Sequence, residues 1–580
     1  MASIRRVGLF FGLLCIILFT VSRASAQETA DIVGTVTDTS GAVIPGATVT
    51  LTNVGTNVSQ TAASNASGDY VFTLLQVGTY NVKVEMKGFK TFTAPSITIA
   101  AGDRARVDAK LEVGDVTETV EVSGNVAPAL QTDTSTIGSL VPSESVEDLP
   151  LNQRNIIKLA QIQPGATEGQ PNSIAAGNRP DDRRMTSSLS VNGQDDSTNQ
   201  NMIDGFDDNT RIIGTIGVRP SIDAIQEVSI TTNKYDASVG RTGGGVVEIV
   251  TKAGTNDFHG SAFEFLRNKV LNGNPNYNFT EILDQQAVKA GLPNAFDPHS
   301  PAAPNPAFRQ NQFGGSVGGP IIKDKTFFFF DYEGLSYAQG LAAANYSVPT
   351  YCEKGMGNSS SPFAKPCPDG GTTVGDFSDQ QDISPIGGGS ACTPTSATGS
   401  CPWVDVSNPT ALGLAYFNMY PLPNEGVPGA LTSNYTSAPV KIQNAKTLDG
   451  RVDEHFSDKD SLFGHITYNG ENTLNPNGFP SVYLDSGGNL TTSSASGALK
   501  VTPVVTSYAG PNNEDQYFFG LSEVHVFSPT LVLNLKAGVM RSQILSFPAN
   551  QGTDISTKLG MPCTATACVN YATSIVGSSG

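Results

Sequence analysis

Short runs of alternating apolar and polar residues, separated by glycine-rich turns, recur along most of the chain. A period of two predicts strands rather than helices. Near the N-terminus it marks Ile32–Val36, Ala47–Leu51, a third strand opening at Gly68–Phe72, and the strictly alternating Tyr80–Val84. Turns fall at Asp38–Ala42 and Lys87–Lys90. Strands this short and regularly spaced predict an all-β unit. Between Val146 and Gln163 the pattern changes. Leu149, Leu151, Ile156, Ile157, Leu159, Ala160 and Ile162 predict a short helix after Pro150, ended by Pro164-Gly165. Ser188–Gly193 and Asn201–Gly205 each read as a strand running into a turn. Ser221–Ile225 reads as a short helix before the strand Glu227–Ile230.

A junction follows. Gly240 and Gly243 to Gly245 feed a β-branched run, Val246–Thr251, and Ala253–Asn256 forms a turn. Phe263 and Phe265 then open a new alternation. A compact unit is therefore expected to end near Lys252, and a strand-built one to begin near Phe258. Beyond it come Gly260–Arg267, Gln312–Ile322, Thr326–Tyr332, Leu448–Phe456, Leu462–Asn469, Tyr517–Phe527 and Leu531–Arg541. Alternating segments of roughly ten residues are the signature of a transmembrane β-barrel. Polar loops at about 268–310, 334–446 and 470–515 separate them. Irregular stretches of this length do not suit a compact soluble domain.

Composition narrows the choice. With 60 glycines, 35 prolines and only 15% charged residues in 580, the chain suits strands and turns, not long helices. The net charge is −18. Such a surface repels nucleic acid, which requires a basic footprint. Arg5 and Arg6, the 15-residue, largely apolar Val7–Val21, and Ala24-Ser25-Ala26 make a secretory signal, with cleavage expected before Gln27. Without it, 32 basic face 53 acidic residues, a net −21. No later run of 18 apolar residues exists, which leaves a soluble exported protein or a β-barrel. Cys352, Cys367, Cys392, Cys401, Cys563 and Cys568 remain after cleavage, an even number that suggests disulfides in an exported chain.

Gly34–Asp38, Ile44–Val49, Ser67–Tyr70 and Gly78–Tyr80 resemble the carboxypeptidase regulatory-like domain, a transthyretin-type sandwich. The stretch has no histidine, so a carboxypeptidase zinc would lack its ligands; it reads as a non-catalytic accessory module. Thr117–Val122 alternates polar and apolar residues and resembles the Ton box, by which outer-membrane receptors engage periplasmic TonB. The pattern alone suits a last sandwich strand equally well; the position ahead of the next unit favours the Ton box. Ser190–Gly193, Ile203-Asp204-Gly205, Ile222–Val228 and Tyr235–Gly245 resemble the plug domain of TonB-dependent outer-membrane receptors. More narrowly, the order is similar to the Oar-like subgroup, as are Gln312–Ile321 and Phe327–Glu333.

The resemblance implies a mainly β chain. Residues 1–26 would be the signal peptide, 27–113 the β-sandwich, 114–130 a linker, 131–254 a mixed α/β plug, and 255–580 the N-terminal part of an antiparallel transmembrane barrel. Barrels of this class have about 22 strands. The segments recognisable here cannot close one, so the chain resembles part of a longer protein. The resemblance also implies outer-membrane uptake of an extracellular ligand, energised by TonB. Glu118, Thr119, Val120, Glu121 and Val122 would contact TonB. Asn192, Gly193, Asp204, Gly205, Gly240, Arg241, Gly243, Gly244 and Gly245 would serve plug structure. An adhesion or surface-assembly protein without transport is the alternative, and a secreted soluble binding protein a third.

Catalytic and metal motifs are sparse. His259, His299, His455, His465 and His525 form no His-Glu-x-x-His pattern. Gly314–Gly318 matches Gly-x-Ser-x-Gly, but Pro320 and the strand after it offer no helix for a nucleophile elbow. The glycines at 240–245 lack the Lys-Ser/Thr of a phosphate loop, so close backbone approach is their expected role. Asp195, Asp196, Asp204, Asp207 and Asp208 could hold calcium, although solvated turns are the simpler reading. Neither an enzyme nor a resident cofactor is expected.

Overall fold

The computed structural model describes residues 30–114, 119–121, 137–148, 151, 154–169, 188–210, 214, 216–233, 240, 242–271, 308–341, 344–351, 354, 360–361, 418–424, 433–502, 509–528, 531–547 and 549–550. The expected signal peptide, the cysteines, Glu118, Val122, Arg241 and His299 lie outside these residues. The chain is mainly β. Among the described residues no helix is long and apolar enough to cross a membrane.

The N-terminal strands are β1 (Ala30–Asp38), β2 (Thr48–Asn53), β3 (Ser59–Ala63), β4 (Asp69–Leu75), β5 (Gly78–Glu85), β6 (Thr91–Ile99), β7 (Arg104–Arg106), β8 (Ala109–Leu111) and β9 (Thr119–Glu121). They form a four-stranded sheet around β1 and a five-stranded sheet in the order β3-β2-β5-β6-β9. Alternation gives each sheet one apolar face, and both faces meet in a single core that includes Ile32, Leu51, Phe72, Val82 and Phe92. β9, the Ton-box-like segment, runs parallel to β6 with Val120 opposite Phe92. Its backbone thus lies at the edge of this unit.

The buried Tyr70 hydroxyl donates to the Val107 carbonyl at 2.5 Å. Gly34 makes room for that bond, since a Cβ there would come within 1.9 Å of the same carbonyl oxygen. Tyr70→Phe is expected to cost about 1–2 kcal/mol by stranding a buried acceptor. Lost hydrogen-exchange protection of β1 and β4 in the full chain would register it, and unchanged protection would show the bond to be dispensable.

The middle unit contains β10 (Ile137–Pro142), α1 (Ser143–Asp148), α2 (Ile157–Gln161), β11 (Ala166–Glu168), β12 (Leu189–Val191), β13 (Gln200–Ile203), β14 (Phe206–Asp207), β15 (Ile225–Asn233) and β16 (Val246–Thr251). Its mixed sheet has the order β10-β15-β16-β13-β14. The short helix expected after Pro150 is α2, which starts later than the apolar spacing suggests, and α1 lies ahead of Pro150. Arg154 has φ +50°, which breaks a helical path, and the Asn155 side chain accepts the Ile157 amide to start α2.

The remaining strands are β17 (His259–Asn268), β18 (Phe308–Ile322), β19 (Thr326–Gly340), β20 (Ala344–Tyr346), β21 (Tyr435–Ser437), β22 (Val440–Ser457), β23 (Asp460–Asn475), β24 (Val482–Leu484), β25 (Leu499–Val501), β26 (Gly510–Ser528) and β27 (Leu531–Ser546). Seven of them form one antiparallel sheet, β17-β18-β19-β22-β23-β26-β27. Every barrel segment expected from the alternation is a strand here, and most are longer than expected. The loops shrink accordingly. The 334–446 loop starts only after Gly340, ends before Val440 and carries the β20–β21 pair; the 470–515 loop carries β24–β25.

Tight turns join β18 to β19, β22 to β23 and β26 to β27 at one end of the sheet, while long connections leave the other. One face is apolar and exposed, with Phe330, Val452, Ile466, Phe519 and Leu535. The opposite face buries Asp331, Asp449, Arg451, Thr467 and Gln516. The middle unit covers that polar face.

Candidate functional site where the middle unit meets the seven-stranded sheet

The site is built on the β13–β14 hairpin. Its Asp204-Gly205 turn has φ values of +48° and +74°, the left-handed pair that a two-residue hairpin requires. The turn projects Asp204 onto the sheet. The Asp204 carboxylate accepts the Thr251 amide at 2.9 Å and the Thr251 hydroxyl at 2.7 Å. Arg451 Nη1 lies 3.3 Å away and His465 Nδ1 3.1 Å. Arg451 is also held by Asp453, at 2.9 Å. All three acidic and basic partners of this ion pair are buried. Burial pushes the Asp204 carboxyl up, but Arg451, His465 and Thr251 outweigh it and hold the group well below the usual carboxylate range.

The next residues complete the seat. The Gly205 amide donates to Glu248 at 2.6 Å. The Phe206 ring fills a notch made by Gly520 and Gly538, which face each other across β26 and β27. A Cβ on either glycine would lie 2.8 or 2.9 Å from the ring. Phe518 and Phe463 flank it edge-on, with centroids 5.7 and 6.4 Å away. The middle unit and the sheet therefore share one apolar core, which also contains Ile203 and Ile249.

A second contact lies nearer the long connections. Arg154 pairs with Asp223 and with Glu333, the latter at 3.2 Å, and its guanidinium stands 4.2 Å from the Phe263 ring centroid. The Ser221 amide donates to Asp449 at 3.0 Å. Arg219 and Asn469 exchange hydrogen bonds through backbone amide and carbonyl, at 2.6 and 2.8 Å. Arg154, Arg219, Ser221, Glu333 and Asn469 help wall a cavity of about 120 Å³ that also touches Glu471 and Glu514. Drug-sized ligands occupy roughly 300–1,000 Å³. The cavity is thus too small for a drug-sized ligand.

Of the residues singled out in the sequence, Asp204 and Gly205 stand at this seam. Asn192 and Gly193 form a left-handed turn after β12, where the Asn192 amide group donates to Thr232. Gly244 and Gly245 approach other backbone and side chains closely. Added Cβ atoms would come within 2.2 Å of Asn199 and 2.8 Å of Val191. Gly243 donates to the Thr198 carbonyl, and Gly240 has open space around it. The other four aspartates serve separate bonds: Asp195 accepts from Ser197, Asp196 from Ser188, Asp207 from Gln200 and Asp208 from Val218. Among the described residues no group of three His, Cys, Asp or Glu side chains is placed to hold a metal ion.

The sequence reading overlooked Arg154, Phe206, Arg451, Asp453, His465, Gly520 and Gly538. One local signal was available. Asp449, Arg451 and Asp453 repeat at every second position of a predicted strand, which sets charge on one face.

A family described as the outer membrane beta barrel domain matches residues 250–579, and the carboxypeptidase regulatory-like domain matches residues 31–112. The TonB-dependent transporter Oar of Myxococcus xanthus is 28% identical over 310 residues. That match takes in 53% of this chain and 27% of the relative, so the chain spans about a quarter of its length. Among solved structures, the outer membrane transporter YddB of Escherichia coli aligns with a TM-score of 0.37 at 12% identity, over 69% of this chain and 38% of that one. The siderophore receptor PirA of Acinetobacter baumannii aligns at 0.30 and 14%, over 72% and 45%.

Proposed function

The chain belongs to the outer-membrane β-barrel family, as a TonB-dependent receptor of the Oar type, and from that premise we propose that it imports an extracellular ligand past a movable plug. In this reading residues 1–26 are a cleaved signal peptide, 27–113 the accessory sandwich, 131–254 the plug and 255–580 barrel wall and loops. The observation that carries it is the Asp204–Phe206 seat. A separate sheet closes the polar face of a strand wall whose other face is apolar, and it is held there by buried ion pairs and an aromatic knob. Such a stopper needs external work to move.

Glu118 to Val122 are the segment through which TonB applies that work. Support comes from the backbone of Thr119–Glu121, which is already extended and lies at a sheet edge, the geometry that strand addition uses. Val120→Pro removes an amide from this strand and blocks ladder formation. Cross-linking of the full chain to TonB in outer-membrane preparations is expected to fall at least tenfold, about 1.4 kcal/mol of binding. Undiminished cross-linking would reject the assignment.

A further inference from the structure

The three units are not fastened alike. The middle unit shares an apolar core with the seven-stranded sheet, through Phe206, Phe463 and Phe518. The N-terminal unit keeps a core of its own, with no residue from either neighbour. Hydrogen bonds tie it to them. Gln76 Nε2 donates to Asp453 at 2.9 Å, the Asn256 side chain to the Thr56 carbonyl at 2.7 Å, the Asn256 amide to the Gly55 carbonyl at 2.9 Å, and the Ala101 amide to Glu227 at 2.5 Å. Asn256 also donates to Asp324, in the tight turn between β18 and β19. The N-terminal unit therefore rests against the tight-turn end of the sheet.

The seam between them is hollow. A chamber of about 360 Å³ lies between the Asn53–Thr56 and Leu75–Thr79 loops of the N-terminal unit and the middle unit. Asp204 and Arg451 form part of its wall, and Gln226 lines it from β15. A second cavity, about 480 Å³, separates β3 from the β22–β23 turn. Polar contacts beside hollows of this size exchange for water at little net cost, whereas the shared apolar core of the middle unit does not.

We propose that the N-terminal two-sheet unit is a lid over the tight-turn mouth, closing the chamber below Asp204 and Arg451, and that it lifts before the plug leaves its seat. This deepens the uptake reading and rests on it. A solute passing the Asp204–Arg451 pair enters the chamber and meets the Asn53–Thr56 and Leu75–Thr79 loops of the N-terminal unit on its way out.

Gly55 supplies a way to lock the lid. A Cβ there would lie 3.8 Å from the Thr255 Cβ, the separation a disulfide needs. The reporter is Gln226→Cys in the full chain in outer-membrane vesicles opened so that the reagent reaches both faces. It is treated with a maleimide bearing a polyethylene-glycol chain too bulky for the chamber. Modification is read at residue 226 by mass spectrometry, which separates it from the native cysteines. Labelling should be slow with the lid in place. Gln76→Ala with Asn256→Ala should speed it roughly tenfold, as loss of two hydrogen bonds predicts. Adding the oxidised Gly55→Cys/Thr255→Cys pair should restore slow labelling, and a reductant should reverse this. Fast labelling through the oxidised lock, or no response to the paired alanines, overturns the lid. In living cells the proton-motive force should accelerate labelling. Labelling that ignores an uncoupler while the vesicle results hold counts against energised uptake and leaves the lid standing.

Discussion

Phe206→Ala is expected to unseat the middle sheet from the strand wall. The ring is buried in a notch that two facing glycines leave open, and two further phenylalanines pack on its edges. Removing a buried phenylalanine side chain costs about 3–5 kcal/mol, because transfer and cavity terms add. The backbone at Gly520 and Gly538 cannot collapse into the space without bending two long strands. Hydrogen exchange of β13 and β16 in the full chain should therefore rise by orders of magnitude, while the N-terminal core stays protected. Gly520→Ala should act in the same direction, since its methyl group would meet the ring. The double variant should cost less than the sum, because the ring is then absent. Unchanged protection of β13 in Phe206→Ala would remove the knob from the account of plug seating.

Arg451→Met should have an effect of similar size. It leaves Asp204 and Asp453 buried together without their guanidinium, and breaking a buried pair in this way costs about 3–5 kcal/mol. The pH dependence has a definite sign. Asp204 is held below the usual carboxylate range in the folded chain, despite its burial, by Arg451, His465 and Thr251. Its contribution is complete above the unfolded carboxylate value of about 4, and it is lost as pH falls toward the folded value. Asp204→Asn should lower stability at neutral pH and flatten the acid limb. The Thr251 amide, which donates to Asp204, is the reporter for exchange experiments at pH 7 and pH 4. An unaltered acid limb in Asp204→Asn would assign it to other carboxylates.

The strands were legible and their full lengths were not. Tyr517–Phe527 stands out because Tyr517, Phe519, Leu521 and Phe527 fall on every-second positions of an aromatic-rich run. Gly510–Gln516 continues the same strand, but both of its faces are polar, so alternation carries no signal there. In β19 the phenylalanine run ends at Phe330, and Ser336 to Gly340 offers only Tyr337 and Ala338, too few apolar residues to show alternation. The late start of the helix after Pro150 has a different cause. The apolar spacing fits a helix from Leu151, but among the described residues the left-handed backbone at Arg154 delays it to Ile157. That strained residue is also the one that grips Asp223 and Glu333, which places the strain at the seam. Asp204 was legible as a turn residue, through the Asp-Gly pair. Its ion pair was not, because Arg451 is 247 residues away and no local pattern links them.

The length of β26 sets how far the protein stands out of the bilayer. Its exposed apolar residues run from Tyr517 to Phe527, and its 19 residues continue to Gly510. At ~3.3 Å per residue and a tilt of about 40°, the apolar part rises about 25 Å, the height of an outer-membrane hydrocarbon band. The remaining residues add roughly 15 Å of sheet beyond it, polar on its outer face except for Ile442, Leu474 and Leu545 at the far end. The rim is therefore a palisade, lifting β20–β21 and β24–β25 clear of the lipid headgroups.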